Sequence, residues 1–421
     1  MSNPIRRETL RIFYRSNINE AQVAKHEKGE NMEIIREMVF GMVGLFLQPL
    51  FYIFLLFSAF ISFRRVKLER RDFHVRVYSA SEGIVESIVP GLFSGLAGSI
   101  VLLGVGMVLP KGMILFIAAL YLLAVLTLQL KFVSPAFTVG LAVLFVYFFP
   151  DVHTGVDVLD QWIGGVREAP LAAAALLLGL LLVLEGMIIG IWGKRTTPRL
   201  LRGKRGKTVG AHEARKFWIV PLFLLLPEGV IPDTGLWPLT GTGDGYSLLL
   251  VPFGFGFYRL ITDVSPKQAV SAAAKQSIWG GMAVLVLAGA CLYSGMEFFA
   301  VAAALLAVIW KTAAFIGGRF RRENSPMYFR QRDDGLMVLG VLPDSPAEKL
   351  GIRVGECIHK VNGLQVHREG DFYQGLQRNG AFCKMEVVNE AGEVRFVQGA
   401  LYEGAHHELG LLFVATPKSV S

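Results

Sequence analysis

Nine apolar runs dominate the chain, each close to the roughly 20 residues that a helix needs to cross a bilayer. They are Met38–Phe63, Ile88–Leu109, Gly112–Leu130, Phe132–Phe149, Ala169–Gly193, Phe217–Ile231, Tyr246–Val264, Ser277–Tyr293 and Met296–Gly318. A chain of 421 residues with this pattern must bury most of its apolar surface in lipid, and little length remains for a soluble domain. Composition agrees. Only 18% of residues are charged and the mean hydropathy is +0.48, whereas soluble domains carry about 25% charged residues. The expected fold class is a polytopic α-helical membrane protein of about eight to nine spans with a C-terminal α+β domain. The last four runs are the weaker ones. Pro221, Pro227 and Pro232 interrupt one of them, and Pro252, Gly254 and Gly256 another.

The loops set the orientation. Arg64, Arg65, Lys67, Arg70, Arg71 and Arg76 follow the first run, nine basic residues lie in 194–216, and Arg319, Arg321 and Arg322 end the last run. Residues 150–168 hold one basic residue, Arg167, and 227–245 hold none. Basic excess marks the cytoplasmic side, so these three segments and the domain after Arg322 are expected in the cytoplasm. The loops at 64–76 and 194–207 could also touch anionic lipid or acidic partners. The polar N-terminal tail, 1–37, strains this scheme because it holds seven basic residues. Two readings stay open: a re-entrant segment broken at Gln48-Pro49, or a natural start at Met32.

The three expected domains are the tail 1–37, a polytopic region 38–318, and a C-terminal domain 325–415. In the last, short apolar stretches alternate with Gly, Asn and Asp turns: Leu336–Leu342, Cys357–Val361, Lys384–Val388, Val394–Val397 and Leu411–Val414. This is a strand-and-turn pattern. Ser345 precedes Pro346 as the N-cap of a short helix that Gly351 stops, and a second helix is expected over Glu369–Gln377. Residues 335–363, GLMVLGVLPDSPAEKLGIRVGECIHKVNG, resemble the core of bacterial PDZ domains. That resemblance implies a domain that binds an extended peptide by strand addition and holds a C-terminal carboxylate in backbone N–H groups. Leu336, Val338 and Gly340 would form the strand to which the peptide adds. Leu409, Gly410 and Leu411 would form the carboxylate loop, placed late as in a circularly permuted PDZ domain. A simple closing strand is the alternative for that loop.

No catalytic set is legible. Neither His26-Glu27 nor His212-Glu213 continues into the H-E-x-x-H of a zinc protease, and His406-His407 has no partner set. All are expected at the surface. Ser94 has no histidine in any apolar run to activate it. With Gly91, Gly95 and Gly98 it reads as a small-residue surface for helix packing. Glu185, Glu228, Arg259 and Lys311 fall in or near apolar runs. Glu185 is expected to pair with Lys311 or Arg259, fixing helix neighbours, although intramembrane charges also mark transport sites. The segment Gly241–Gly245 lacks the Lys-Ser/Thr of a phosphate cradle. Cys291, Cys357 and Cys383 form no C-x-x-C pair, so neither a zinc nor a dithiol site is suggested and three buried free thiols are expected. No metal, cofactor or nucleic acid is implied.

The architecture, together with Gly44–Tyr52 (GLFLQPLFY) in the first run and Arg64–Phe73 (RRVKLERRDF) after it, resembles the MinJ family of cell-division topological determinants. That resemblance implies a non-enzymatic plasma-membrane scaffold at septum and poles. It would bridge the polar scaffold DivIVA to the MinC–MinD division inhibitor and meet other divisome components. An accessory subunit of membrane proteolysis or secretion, and a transporter with a regulatory domain, are the alternatives.

Overall fold

The computed structural model describes residues 32, 35–148, 155–202, 208–233, 237–240, 245–330, 334–379, 382–389, 391–400 and 409–414. The question of a start at Met32 turns on the tail before it, which lies outside the described residues, as do His26, His406, His407 and 241–244. The membrane region runs α1 (35–47), α2 (Pro49–Phe73), α3 (Ala80–Val105), α4 (Lys111–Leu126), a 3-10 turn at Leu130–Phe132, α5 (Pro135–Phe148), α6 (Asp157–Arg167) and α7 (Leu171–Trp192). It continues through β1 (Thr197–Arg202), β2 (Thr208–Pro232), β3 (Gly245–Ile261), α8 (Pro266–Ser294) and α9 (Phe298–Asn324). The C-terminal domain holds β4 (Leu336–Val341), α10 (Pro346–Lys349), β5 (Cys357–Val361), β6 (Leu364–Gln365), α11 (Glu369–Gln377), β7 (Phe382–Val388), β8 (Val394–Ala400) and β9 (Leu411–Phe413).

Among the described residues, five helices are long and apolar enough to cross a membrane: α2, α3, α7, α8 and α9. The remaining expected spans resolve differently. The run Met38–Phe63 breaks at Gln48, whose backbone is extended, and Pro49 opens α2. The runs at 112–130 and 132–149 become α4 and α5, of 16 and 14 residues. At about 1.5 Å per residue these measure roughly 24 and 21 Å, short of a bilayer core.

The largest departure is at Phe217–Ile231 and Tyr246–Val264. These are not helices. They are the arms of a long antiparallel hairpin, β2 and β3, paired from His212↔Ile261 to Pro232↔Gly245. The prolines explain why. Pro221 stands opposite Pro252, and their ring nitrogens face the outer edges of the pair, where no ladder donor is lost. The stretch Phe253-Gly-Phe-Gly-Phe257 alternates with period 2. The three phenylalanines are buried, and the glycines leave room on the other face. A Cβ at Gly254 would sit 3.0 Å from the rings of Phe217 and Phe54. Phe54 and Phe57 stack edge-on against Phe217, at 5.4 and 5.0 Å between centroids.

An open sheet among apolar helices must have its edges satisfied by protein, since lipid offers no partners. Helices do this here. On the β2 edge, Phe223 N–H donates to Ser99 Oγ at 2.9 Å and Leu225 O accepts from Leu109 N–H at 3.0 Å. On the β3 edge, Gln48 Nε2 donates to Leu250 O at 2.8 Å, and Gly256 N–H donates to Val133 O at 2.6 Å. The break at Gln48 and the turn after α4 therefore serve the sheet. The face of α3 carrying Ser87, Gly91, Ser94, Gly95, Gly98 and Ser99 is buried, but against a strand. The backbone carbonyls of Ile219 and Pro221 lie where side chains at Gly91 and Gly95 would be.

The helix α7 is the most enclosed of the five, two-thirds buried over its apolar window. Gly179 and Gly186 receive Leu285 and Ile278 of α8. Glu185 is wholly buried within it. Its Oε2 accepts from Ser277 Oγ of α8 at 2.9 Å and from Lys311 Nζ of α9. Of the two expected partners the pair is thus with Lys311. Glu228 lies exposed at the far end of the hairpin.

Candidate functional site

The basic end of the bundle is a folded platform. Several arginines and lysines there are committed to carboxylates. Arg199 of β1 joins Asp72 at 2.5 Å and Glu213 at 2.6 Å, both buried. Arg65, Arg195 and Lys216 surround Glu86. These pairs tie the ends of α2 and α3 to the sheet, so part of the basic loops' charge is neutralised internally. Residues 203–207 lie outside the described set.

The C-terminal domain rests on this platform. Its own core is Leu336, Val338, Ile358, Val361, Phe372, Leu376, Met385 and Val387, closed by Leu409, Leu411 and Phe413. The other face of its sheet meets the hairpin base. Met337, Leu339 and Val414 pack with Phe329, beside Phe73 and Leu200. Gly340 lies against Pro198, where a Cβ would come within 3.1 Å. Gly210 N–H donates to Phe329 O at 3.0 Å and Tyr328 N–H to Thr262 O at 2.7 Å.

His212, expected at the surface, is instead central to this junction, at 2% exposed. Its Nε2 lies 2.7 Å from Leu339 O and its Nδ1 2.8 Å from Thr196 Oγ1. A carbonyl can only accept, so Nε2 carries the proton and Nδ1 accepts from the threonine. Burial pushes the imidazole from 6.5 down to about 4, only partly offset by the Leu339 hydrogen bond. A released His212 titrates normally. Docking is therefore complete above about pH 6.5 and weakens as pH falls towards about 4, because protonation then favours release. The expected result is a lower protection factor at Met337–Val341 on acidification, with exchange corrected for its slower intrinsic rate at low pH, and already at neutral pH in His212→Ala, read by hydrogen-exchange mass spectrometry.

The sheet order β8-β7-β5-β4-β9 decides which strand has a free edge. Leu336, Val338 and Gly340 all lie in β4, between β5 (Leu336↔Ile358) and β9 (Val338↔Phe413, Gly340↔Leu412). Its ladder is filled on both sides, so peptide addition to β4 as expected has no edge to use. Among the described residues the edge strands of this order are β8 and β9, and β9 is the one beside β4. Leu409, Gly410 and Leu411 form the loop entering it. Ala347 N–H donates to Leu409 O at 3.0 Å, and Leu342 N–H to Gly410 O at 2.8 Å. Gly410 has φ +81°, a value only glycine adopts readily, and a Cβ there would collide with Ser345. The helix α11 flanks the same strand through Phe372, 5.1 Å from Phe413. α11 spans Glu369–Gln377, and Ser345 caps α10, accepting from Glu348 N–H at 3.3 Å; both agree with the sequence reading.

Comparison with known proteins gives the context. The PDZ domain family matches residues 337–389, from β4 through β7. The chain is 36% identical over 373 residues to the cell division topological determinant MinJ of Bacillus subtilis (strain 168), covering 88% of this chain and 93% of that protein. It is 25% identical over 255 residues to the probable cell division topological determinant MinJ of Lacticaseibacillus paracasei, covering 59% of this chain and 67% of that protein. The same figures hold for the Lacticaseibacillus casei (strain BD-II) protein. No solved structure matches.

Proposed function

Because the chain belongs to the MinJ family of cell-division topological determinants, we propose that it works as a non-enzymatic membrane scaffold that bridges DivIVA to the MinC–MinD inhibitor. The observation that carries this reading is the reach of the similarity. A match of 373 residues must run through both the membrane helices and the C-terminal domain, so the two parts act as one device. The C-terminal domain faces the cytoplasm beside the basic segments, in keeping with the positive-inside bias. An extended peptide or free C-terminus from a division protein adds to the edge of β9, its carboxylate entering at Leu409-Gly410-Leu411. Confinement to the membrane raises the local concentration of both partners, so neither contact needs to be tight.

A functional fluorescent fusion in dividing cells tests the role. Enrichment at septa and poles, with filaments or minicells when the gene is deleted, is expected. A uniform membrane signal with normal cell length overturns it. For the groove, Gly410→Val should reduce peptide capture at least tenfold in a binding titration with the detergent-solubilised protein. A bulky residue at φ +81° must either shift the loop or displace Ser345. Unchanged capture would remove this loop from the site.

A further inference from the structure

A second constellation lies where the chain enters the C-terminal domain. Alternation along β5 puts Cys357 and His359 on one face, turned away from Ile358 in the core. The register Leu336↔Ile358 sets Gly335 opposite His359. A Cβ at Gly335 would stand 2.8 Å from both Cys357 Sγ and His359 Cδ2, so glycine here lets thiol, imidazole and backbone close up. The side chain of Asp334 completes the group. One donor atom from each of Asp334, Cys357 and His359 lies within 4.8 Å of the others. His359 Nε2 is 3.8 Å from Asp334 Oδ2, too far for a hydrogen bond, and this buried nitrogen has no hydrogen-bond partner among the described residues.

We propose that Asp334, Cys357 and His359 bind a divalent cation of the zinc class. Its donors are the thiolate, the imidazole Nε2 and one carboxylate oxygen, with water in the fourth position. The donor set selects the metal. A thiolate with an imidazole suits zinc and disfavours magnesium and calcium, which take oxygen donors. Tetrahedral zinc, with sulfur at about 2.3 Å and nitrogen or oxygen at about 2.0–2.2 Å, sets donors roughly 3.3–3.7 Å apart. Asp334 is exposed and can close the remaining gap by rotating its side chain. Binding releases the thiol proton to solvent. The bound cation staples the segment arriving from α9 to β5, on the same face of the sheet as Met337, which packs against Phe329 at the hairpin base.

The test uses the full-length protein in detergent, stripped with chelator and titrated with cobalt(II), then zinc(II). One equivalent of cobalt should give a near-ultraviolet thiolate-to-cobalt charge-transfer band and tetrahedral visible bands, both lost when zinc is added. Cys357→Ser should abolish the near-ultraviolet band. His359→Gln, a change at a half-buried side chain outside the hydrophobic core, should weaken binding at least tenfold. The other thiols act as internal controls. Cys291 sits in α8, and burial pushes Cys383 up to about 11. Absence of the band in the wild type, or its persistence in Cys357→Ser, overturns the proposal. Equal melting temperatures of the stripped wild type and His359→Gln show that the weakening is not unfolding.

Discussion

Replacing Gly91 or Gly95 by alanine should destabilise the protein by about 3 kcal/mol or more, at the upper end of what overpacking costs. The double variant should not accumulate as folded protein. In an ordinary helix the same change is favourable, by up to about 1 kcal/mol. The sign reverses here because β2 lies directly on α3. The new methyl groups would occupy the positions of Ile219 O and Pro221 O, and these are backbone atoms of a strand clamped on its other side by β3. No side chain can rotate away. Gly104, on the same helix, has nothing within 4 Å of its Cβ direction and faces outward. Gly104→Ala is thus the matched control and should be neutral or slightly stabilising. Thermal unfolding followed by fluorescence-detected size exclusion separates the two. Equal stability of Gly95→Ala and Gly104→Ala would mean that β2 does not rest on α3. A cysteine pair at Phe223 and Leu250, directly opposed in the ladder, should oxidise readily, whereas one at Phe223 and Leu248 should not.

The hairpin also shows where the sequence was legible and where it misled. Hydropathy counts apolar residues over a window and cannot tell a buried strand from a buried helix. Phe217–Ile231 and Tyr246–Val264 are apolar enough to match spans, and in that reading their prolines count as breaks in helices. The decisive signals were the period-2 stretch Phe253–Phe257 and the placing of Pro221 and Pro252. Both make sense in a strand pair and neither does in a helix. The glycine face of α3 was legible as a close-packing surface, but its partner was not. A strand and a helix both require small residues for backbone contact. The pairing of Glu185 with Lys311 was among the expected ones because a buried charge demands a partner.

In the C-terminal domain, local chemistry carried further. Ser345-Pro346 and Gly351 bracket α10 by capping and chain reversal. Asn362 and Gly363, both at positive φ, form the tight turn between β5 and β6, as an Asn-Gly pair favours. Sheet order was beyond reach, because it depends on where a strand some 70 residues later returns. That return, β9 beside β4, makes Leu336–Val341 an inner strand and puts Leu411–Phe413 at one edge of the sheet. His212 was misplaced for a related reason. It lies in a polar segment, and only the docking of a second domain buries it. The grouping of Asp334 with Cys357 and His359 had a faint signal, the C-x-H spacing that sets two donors on one face of a strand.

Removing one member of the intramembrane pair should have unequal consequences. Lys311→Met leaves Glu185 at 0% exposure among α7, α8 and α9, with only Ser277 Oγ still donating to it. Breaking a buried pair this way costs about 3–5 kcal/mol, so Lys311→Met should sharply lower the melting temperature and the protein level. Glu185→Gln should cost less, about 1–3 kcal/mol. The side chain of Lys311 is already 21% exposed, and its amine can extend towards the Arg319–Arg322 end of α9, as long basic side chains do near helix ends. The double variant Glu185→Leu/Lys311→Met should recover most of the loss, since a well-packed apolar pair replaces a buried ion pair nearly neutrally. A double-mutant cycle of unfolding midpoints measures the coupling. The same set distinguishes a scaffold from a transporter. If the pair only locks α7 to α9, the double variant should restore the wild-type distribution in the cell along with stability. A double variant as stable as the wild type, yet unable to support division-site placement or the uptake of a solute, would give the pair a working role of its own. The bundle would then be more than an anchor for the domain it carries.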